Sequence, residues 1–203
     1  MAEKLYKFLG KYGEPCNGGN GSWHLPRGGH PGRWMPTIEG DLVPCARGYH
    51  LCRCADLAYW IGPVLYEAEA RGDVVVADNK VVVRQARLLR RIKVWDSRMM
   101  RLFACACASR VLPIFERKYP LDKRPRLAIR VARRYAVGKA SSEELDAAWA
   151  AAGDAAGAAG DAAWDAAWAA ARDAAWDAAR AAGDAERASQ CRWFQIRLPH
   201  ARD

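Results

Sequence analysis

The apolar positions change their period twice along the chain. In residues 1–44 no period holds, because CNGGNGSWHLPRGGHPGRWMP sets a turn former at almost every second or third place. Such spacing leaves no room for a long helix. Trp23, Leu25, Trp34, Met35 and Ile38 still need burial, so this zone is expected to be a loop folded over a sheet. From residue 45 the pattern turns β-like, in the runs GYHLCR, PVLYEAEARG and DVVVADNKVVVRQARLLRRIKVW, with Asp78-Asn79 as the turn between two Val-rich segments. ADLAYWIG, between the first two runs, reads as one short helix that Gly62-Pro63 ends.

After Lys93 the period becomes helical. Ser97 is placed to cap a helix in which Met100, Phe103, Ala104, Cys107, Val111, Ile114 and Phe115 recur at three- and four-residue steps, the spacing of one buried face. Pro113 should bend it near its end. A second helix has Asp122 as N-cap and Gly138 as stop, with Leu127, Val131 and Tyr135 inward. On another face Arg126, Arg130 and Arg133 fall at i, i+4 and i+7 and form a basic ridge. Ser141 to Glu144 is a capping box, after which 24 of the 42 residues from 147 to 188 are alanine. Gly153, Gly157 and Gly160 each cost roughly 1 kcal/mol relative to Ala inside a helix, which places a break near 153–160 and makes two helices here. Projected at about 100° per residue, the second carries Trp164, Trp168 and Trp176 beside a stripe of alanine alone, from Ala163 to Ala188. That stripe suits close approach of another helix, either within the fold or as a docking face for a partner protein. The fold class expected is α+β: a small mixed, β-rich domain over residues 1–95, then an Ala-rich antiparallel helical module over 96–203.

Composition and charge narrow the partners. With 51% apolar residues the chain can build a core and is not disordered. Residues 1–139 hold 26 basic and 12 acidic side chains, against 6 and 11 in residues 140–203, so the body is +14 and the tail −5. Part of this split can hold the two zones together, and the rest favours an acidic protein partner, with Arg126, Arg130 and Arg133 as its contact. Non-specific nucleic-acid binding is the alternative, since the arginines attract phosphate but no base-reading motif accompanies them. No stretch approaches the length of a signal peptide's apolar region or a membrane span, so a cytoplasmic protein without membrane contact is expected. Seven cysteines, an odd number without an export signal, point to reduced thiols.

Three constellations carry chemistry in outline. Cys45, His50, Cys52 and Cys54 lie within ten residues, and on one strand His50, Cys52 and Cys54 would share a face. A C-x-C with a lone upstream Cys matches the paired knuckles of structural zinc poorly, so ordinary thiols are expected and zinc is the alternative. Cys105 and Cys107 stand about 200° apart around a helix and cannot chelate together; both read as small apolar residues, with Cys107 in the core. His50, with Tyr66 and Glu69 near one sheet edge, is the catalytic candidate, although no triad order accompanies it. The leading expectation is a binding protein with no catalytic residues and no cofactor.

Two resemblances add to this. The run from Ala104, ACACASRVLPIFERKYPLDKRPRLAIRVARRYAVGK and the alanine-rich helices after it, resembles a family of immunity proteins from bacterial toxin systems that carry CAxxVLPxFExxYPxDxRPRxAI. Here Cys107, Pro113, Glu116, Tyr119, Asp122, Arg124, Pro125 and Arg126 are among the matching residues. The resemblance implies a helical fold and an immunity role; the leading expectation is a phage- or mobile-element-linked factor that binds its partner stoichiometrically. The N-terminal order GSWHLP, PGRWMP, CARGYHLCR, ADLAYWIG, PVLYEAE resembles GYHLC-type domains of phage and bacterial proteins. More distantly, G-x-H-L, helix and VLYE are similar to ADP-ribosyltransferase-like folds. That similarity implies NAD as cofactor, with His50 contacting it and Tyr66 or Glu69 assisting; the family's third-strand catalytic glutamate has no counterpart here.

Overall fold

The computed structural model describes the backbone of residues 3–169 and 174–197, and the side chains outside 156–182, 184 and 197. It is α+β, in two compact units: residues 1–96 with 187–203, and residues 97–186.

The first unit is a closed antiparallel barrel of four strands, β1 (Leu5–Leu9), β2 (Tyr49–Arg53), β3 (Val64–Ala77) and β4 (Lys80–Arg91), in the order β1-β2-β4-β3. Residues 1–44 are therefore not all loop. KLYKFLG hides β1 because it reads as apolar on both faces, and in the barrel Tyr6, Phe8 and Leu9 are all buried. β3 is also longer than its sequence suggests, since PVLYEAEARG and DVVVA, read as separate runs, form one strand. Gly72 allows this: with φ +78° it sits in the register shift between Arg71 and Val74, so the irregularity is absorbed as a bulge. Asp78-Asn79 closes the β3–β4 hairpin as expected. The short helix after β2 is a 3-10 turn, Cys54–Tyr59.

The Gly/Pro-rich segment lies over the sheet. Amides of Gly32, Met35 and Ile38 donate to the carbonyls of Leu88, Ala86 and Arg84 at 2.8, 2.9 and 3.0 Å, so the segment follows β4. Trp23 enters the core with Leu9, Leu51, Tyr66 and Val83, edge-on to Tyr49. Trp34 lies under two guanidinium groups, Arg71 at 4.2 Å and Arg87 at 4.7 Å from its ring.

The second unit contains α1 (Ser97–Lys118), α2 (Arg124–Ala136), α3 (Ser142–Ala169) and the first part of α4 (Ala174–Arg197). Cys105, Ala128, Val131, Ala132, Leu145 and Ala148 form its core. Gly138, at φ +70°, ends α2, and its amide donates to the Tyr135 carbonyl. The capping box forms as expected: the Glu144 amide donates to Ser141 Oγ, and the Ser141 amide to Glu144 Oε2.

Three helical expectations are corrected. The buried line of α1 runs through Phe103, Cys105 and Leu112 rather than Cys107, Val111 and Ile114; Cys107 is half-buried and Ile114 is 67% exposed. Leu127, expected inward, is exposed because α2 turns Ala128, Val131 and Ala132 to the core. Finally, α3 continues through Gly153, Gly157 and Gly160 to Ala169, and α4 starts at Ala174. A long run of strong helix formers outweighs three glycines. The stripe from Ala163 to Ala188 is thus shared between two helices, and its side chains up to residue 182 lie outside the described ones.

From Arg187 onward α4 groups with the barrel unit. Phe194 explains the grouping. It is fully buried against Trp95 and Phe8, with ring centroids 5.1 and 6.4 Å away, and Trp95 anchors itself by donating to the Gly62 carbonyl at 2.9 Å.

Candidate functional site

The helical unit carries an open apolar groove of about 490 Å³. Its α1 wall includes Ala104, Val111 and Phe115, members of the stripe whose helical spacing stands out in the sequence, together with Ala108. The periodicity is real but lines a groove instead of the core, so Val111 remains 48% exposed. Pro125, Ile129 and Ala132 of α2 form the second wall, and Trp149 and Ala152 of α3 the third. Trp149 is 66% exposed, the kind of large uncovered apolar group that marks contact surfaces. Trp149 is not among the tryptophans that the sequence pattern singles out; those three, Trp164, Trp168 and Trp176 beside the alanine stripe, have side chains outside the described set. Among the described residues of the groove lining, Arg101 is the one that carries a charge.

The basic ridge lies on α2 beside this groove. Arg126, Arg130 and Arg133 are all exposed, but only Arg130 has no hydrogen-bond or ion-pair partner among the described residues. Arg126 forks onto Glu116 of α1, with Nε 2.6 Å from Oε1, and holds the Glu116 carboxyl below its usual range. Arg133 donates to Ser109 Oγ at 2.7 Å. Two of the three arginines therefore also tie α2 to α1.

The other candidate residues lie in the barrel unit and part company. His50 lines a cleft at the barrel's side, where its Nε2 accepts the Cys45 amide at 2.9 Å. Tyr66 and Glu69 sit on β3, which pairs with β1 and β4 but not with β2, and neither lines that cleft. Glu69 is engaged by Arg87 at 2.6 Å. The four potential zinc ligands also diverge. Cys45 Sγ accepts from Lys80, Cys52 donates to the Tyr6 carbonyl, and Cys54 leaves the strand face because β2 ends at Arg53. Among the described residues no group of three or more His, Cys, Asp or Glu could hold a metal. Burial pushes the Cys52 thiol up to about 12.

Fold and groove together define a barrel joined to a helical unit that carries an open apolar recess among the described residues. The chain belongs to the family described as "Imm-5 like putative immunity protein", whose family model matches residues 90–198. The match takes in the groove, the arginine ridge and the part of α4 that packs on the barrel. Comparison with curated proteins and with solved structures finds no significant match. Among the described residues no helix is long and apolar enough to cross a membrane.

Proposed function

We propose that this chain is a non-catalytic immunity factor of phage or mobile-element kind, acting in the cytoplasm by sequestering an acidic protein partner on its helical unit. The observation that carries the reading is the uncovered groove within the family-matched segment. An apolar segment of the partner fills it against Val111, Ile129 and Trp149, and acidic residues beside that segment meet Arg101, Arg126, Arg130 and Arg133. Burying such a surface supplies affinity, while the exposed charges mainly set the encounter rate and salt dependence.

The test is capture of a host or toxin protein by the purified chain, compared with two variants. Val111→Glu fills the groove with charge, and the triple Arg126→Ala, Arg130→Ala, Arg133→Ala variant strips the ridge. The expected result is one protein captured stoichiometrically by the wild type and lost with both variants. Unchanged capture by both variants, or capture abolished by nuclease, overturns the proposal.

A further inference from the structure

The cleft that holds His50 is a second, chemically different recess, about 500 Å³ in volume, which is the size that takes small ligands. Lys7, Arg47, His50 and Lys80 are in its lining, and among the described residues that line it there is no Asp or Glu. Lys7 is the informative member. Its Nζ donates to the His50 carbonyl at 2.9 Å and stands 5.5 Å from the Trp23 ring, with no carboxylate among the described residues bonded to it. Burial lowers its affinity for a proton, as expected for an ammonium group withdrawn from water without a counter-charge. Charges withdrawn from water in folded proteins are usually paired, and among the described residues no carboxylate pairs with this half-buried ammonium group. Lys80 faces the same cleft: its Nζ lies 4.7 Å from the Trp60 ring and donates to Cys45 Sγ at 2.9 Å. Trp23, Tyr49 and Trp60 give the same cleft flat apolar surface.

From this pairing of unneutralised cations with aromatic walls we infer that the barrel cleft binds a small planar organic anion, its phosphate or carboxylate between Lys7 and Lys80 and its ring against Trp23, Tyr49 or Trp60. The site belongs to the barrel unit and is independent of partner docking on the helices. Charge-assisted bonds to both ammonium groups hold the anion, and the ring contributes by stacking. The glycine-rich stretch Gly18-Gly19-Asn20 lies at the same cleft and leaves room for the ring.

Calorimetry and tryptophan fluorescence on the full chain test this with four probes: adenosine monophosphate, benzoate, inorganic phosphate and uncharged adenosine. One of the two ring-bearing anions is expected to bind at least roughly tenfold more tightly than both phosphate and adenosine, and which one does so tells a phosphate head from a carboxylate head. Lys7→Met should weaken it by about tenfold or more. Lys80→Gln, at the more open end and with the barrel interior untouched, should do the same while melting like the wild type. Absence of binding by both ring-bearing anions at millimolar concentration, binding of phosphate as tight as theirs, or undiminished binding by a folded Lys80→Gln variant overturns the inference.

Discussion

The amide of Cys45 donates to Nε2 of His50 across 2.9 Å, fixing the imidazole as a neutral acceptor at that nitrogen. Cys45 holds φ +66°, an unusual value for a residue with a side chain, and the bond to His50 is one of the contacts that keeps it there. A protonated ring has no lone pair for this amide. The relationship therefore couples the 40–48 loop to the charge state of one histidine on β2.

Stability is expected to fall as pH drops through the histidine range. Burial, with Lys7 and then Lys80 nearby, lowers the His50 pKa from 6.5 in the folded protein. A depressed histidine makes the unfolded chain bind the extra proton first, so the contribution is present above 6.5 and is lost as pH falls toward the folded value. Urea melts between neutrality and mildly acidic pH should show this loss in the wild type and a flatter profile in His50→Gln. Equal slopes would contradict it.

Phe194→Ala should destabilise the barrel unit by about 3–5 kcal/mol, the usual cost of emptying a buried aromatic site. Phe194 is fully buried and touches Trp95 and Phe8, so the loss falls on strands far away in sequence. Chemical denaturation followed by Trp fluorescence measures it. A change under about 1 kcal/mol would mean that the C-terminal segment does not support the barrel.

Gly48→Ala should destabilise by roughly 1–3 kcal/mol through overpacking and backbone strain. Gly48 has φ +130°, and an added Cβ would stand 2.4 Å from Val82 Cγ1. A melting temperature unchanged from wild type would show that the β2 entry relaxes freely.

Val111→Glu should change stability by no more than about 0.5 kcal/mol, as for other exposed positions, while abolishing partner capture. Val111 is half-exposed on the groove wall. A large loss of stability would mean that this wall is core after all.

Thiol labelling should separate the cysteines by burial. Cys16 and Cys45 are exposed, whereas Cys52, Cys105 and Cys191 are buried, and burial raises the pKa of each of these three. Mass spectrometry after brief alkylation should find Cys45 modified well before Cys52, with Cys52 following only on unfolding. Equal rates would show that the barrel opens readily.

The one-dimensional pattern determined much of this protein. Val-rich runs around Asp78-Asn79 could only be a hairpin, and the steps among Ala104, Val111 and Phe115 could only be a helix, because these periods follow from local backbone geometry. The motif beginning at Cys107 also identified the immunity-like family. Tertiary structure alone decided what those faces meet. Periodicity shows that one side of α1 is apolar, but whether it meets a core or an open groove depends on where α2 and α3 lie. LYKFL became a strand because β2 and β3 were there to pair with both its edges. Trp95 and Phe194 are nearly a hundred residues apart, and no local signal says that they touch. The cationic cleft has the same origin, since Lys7, His50 and Lys80 come from three strands and only barrel closure gathers them, with no acid among the described lining residues.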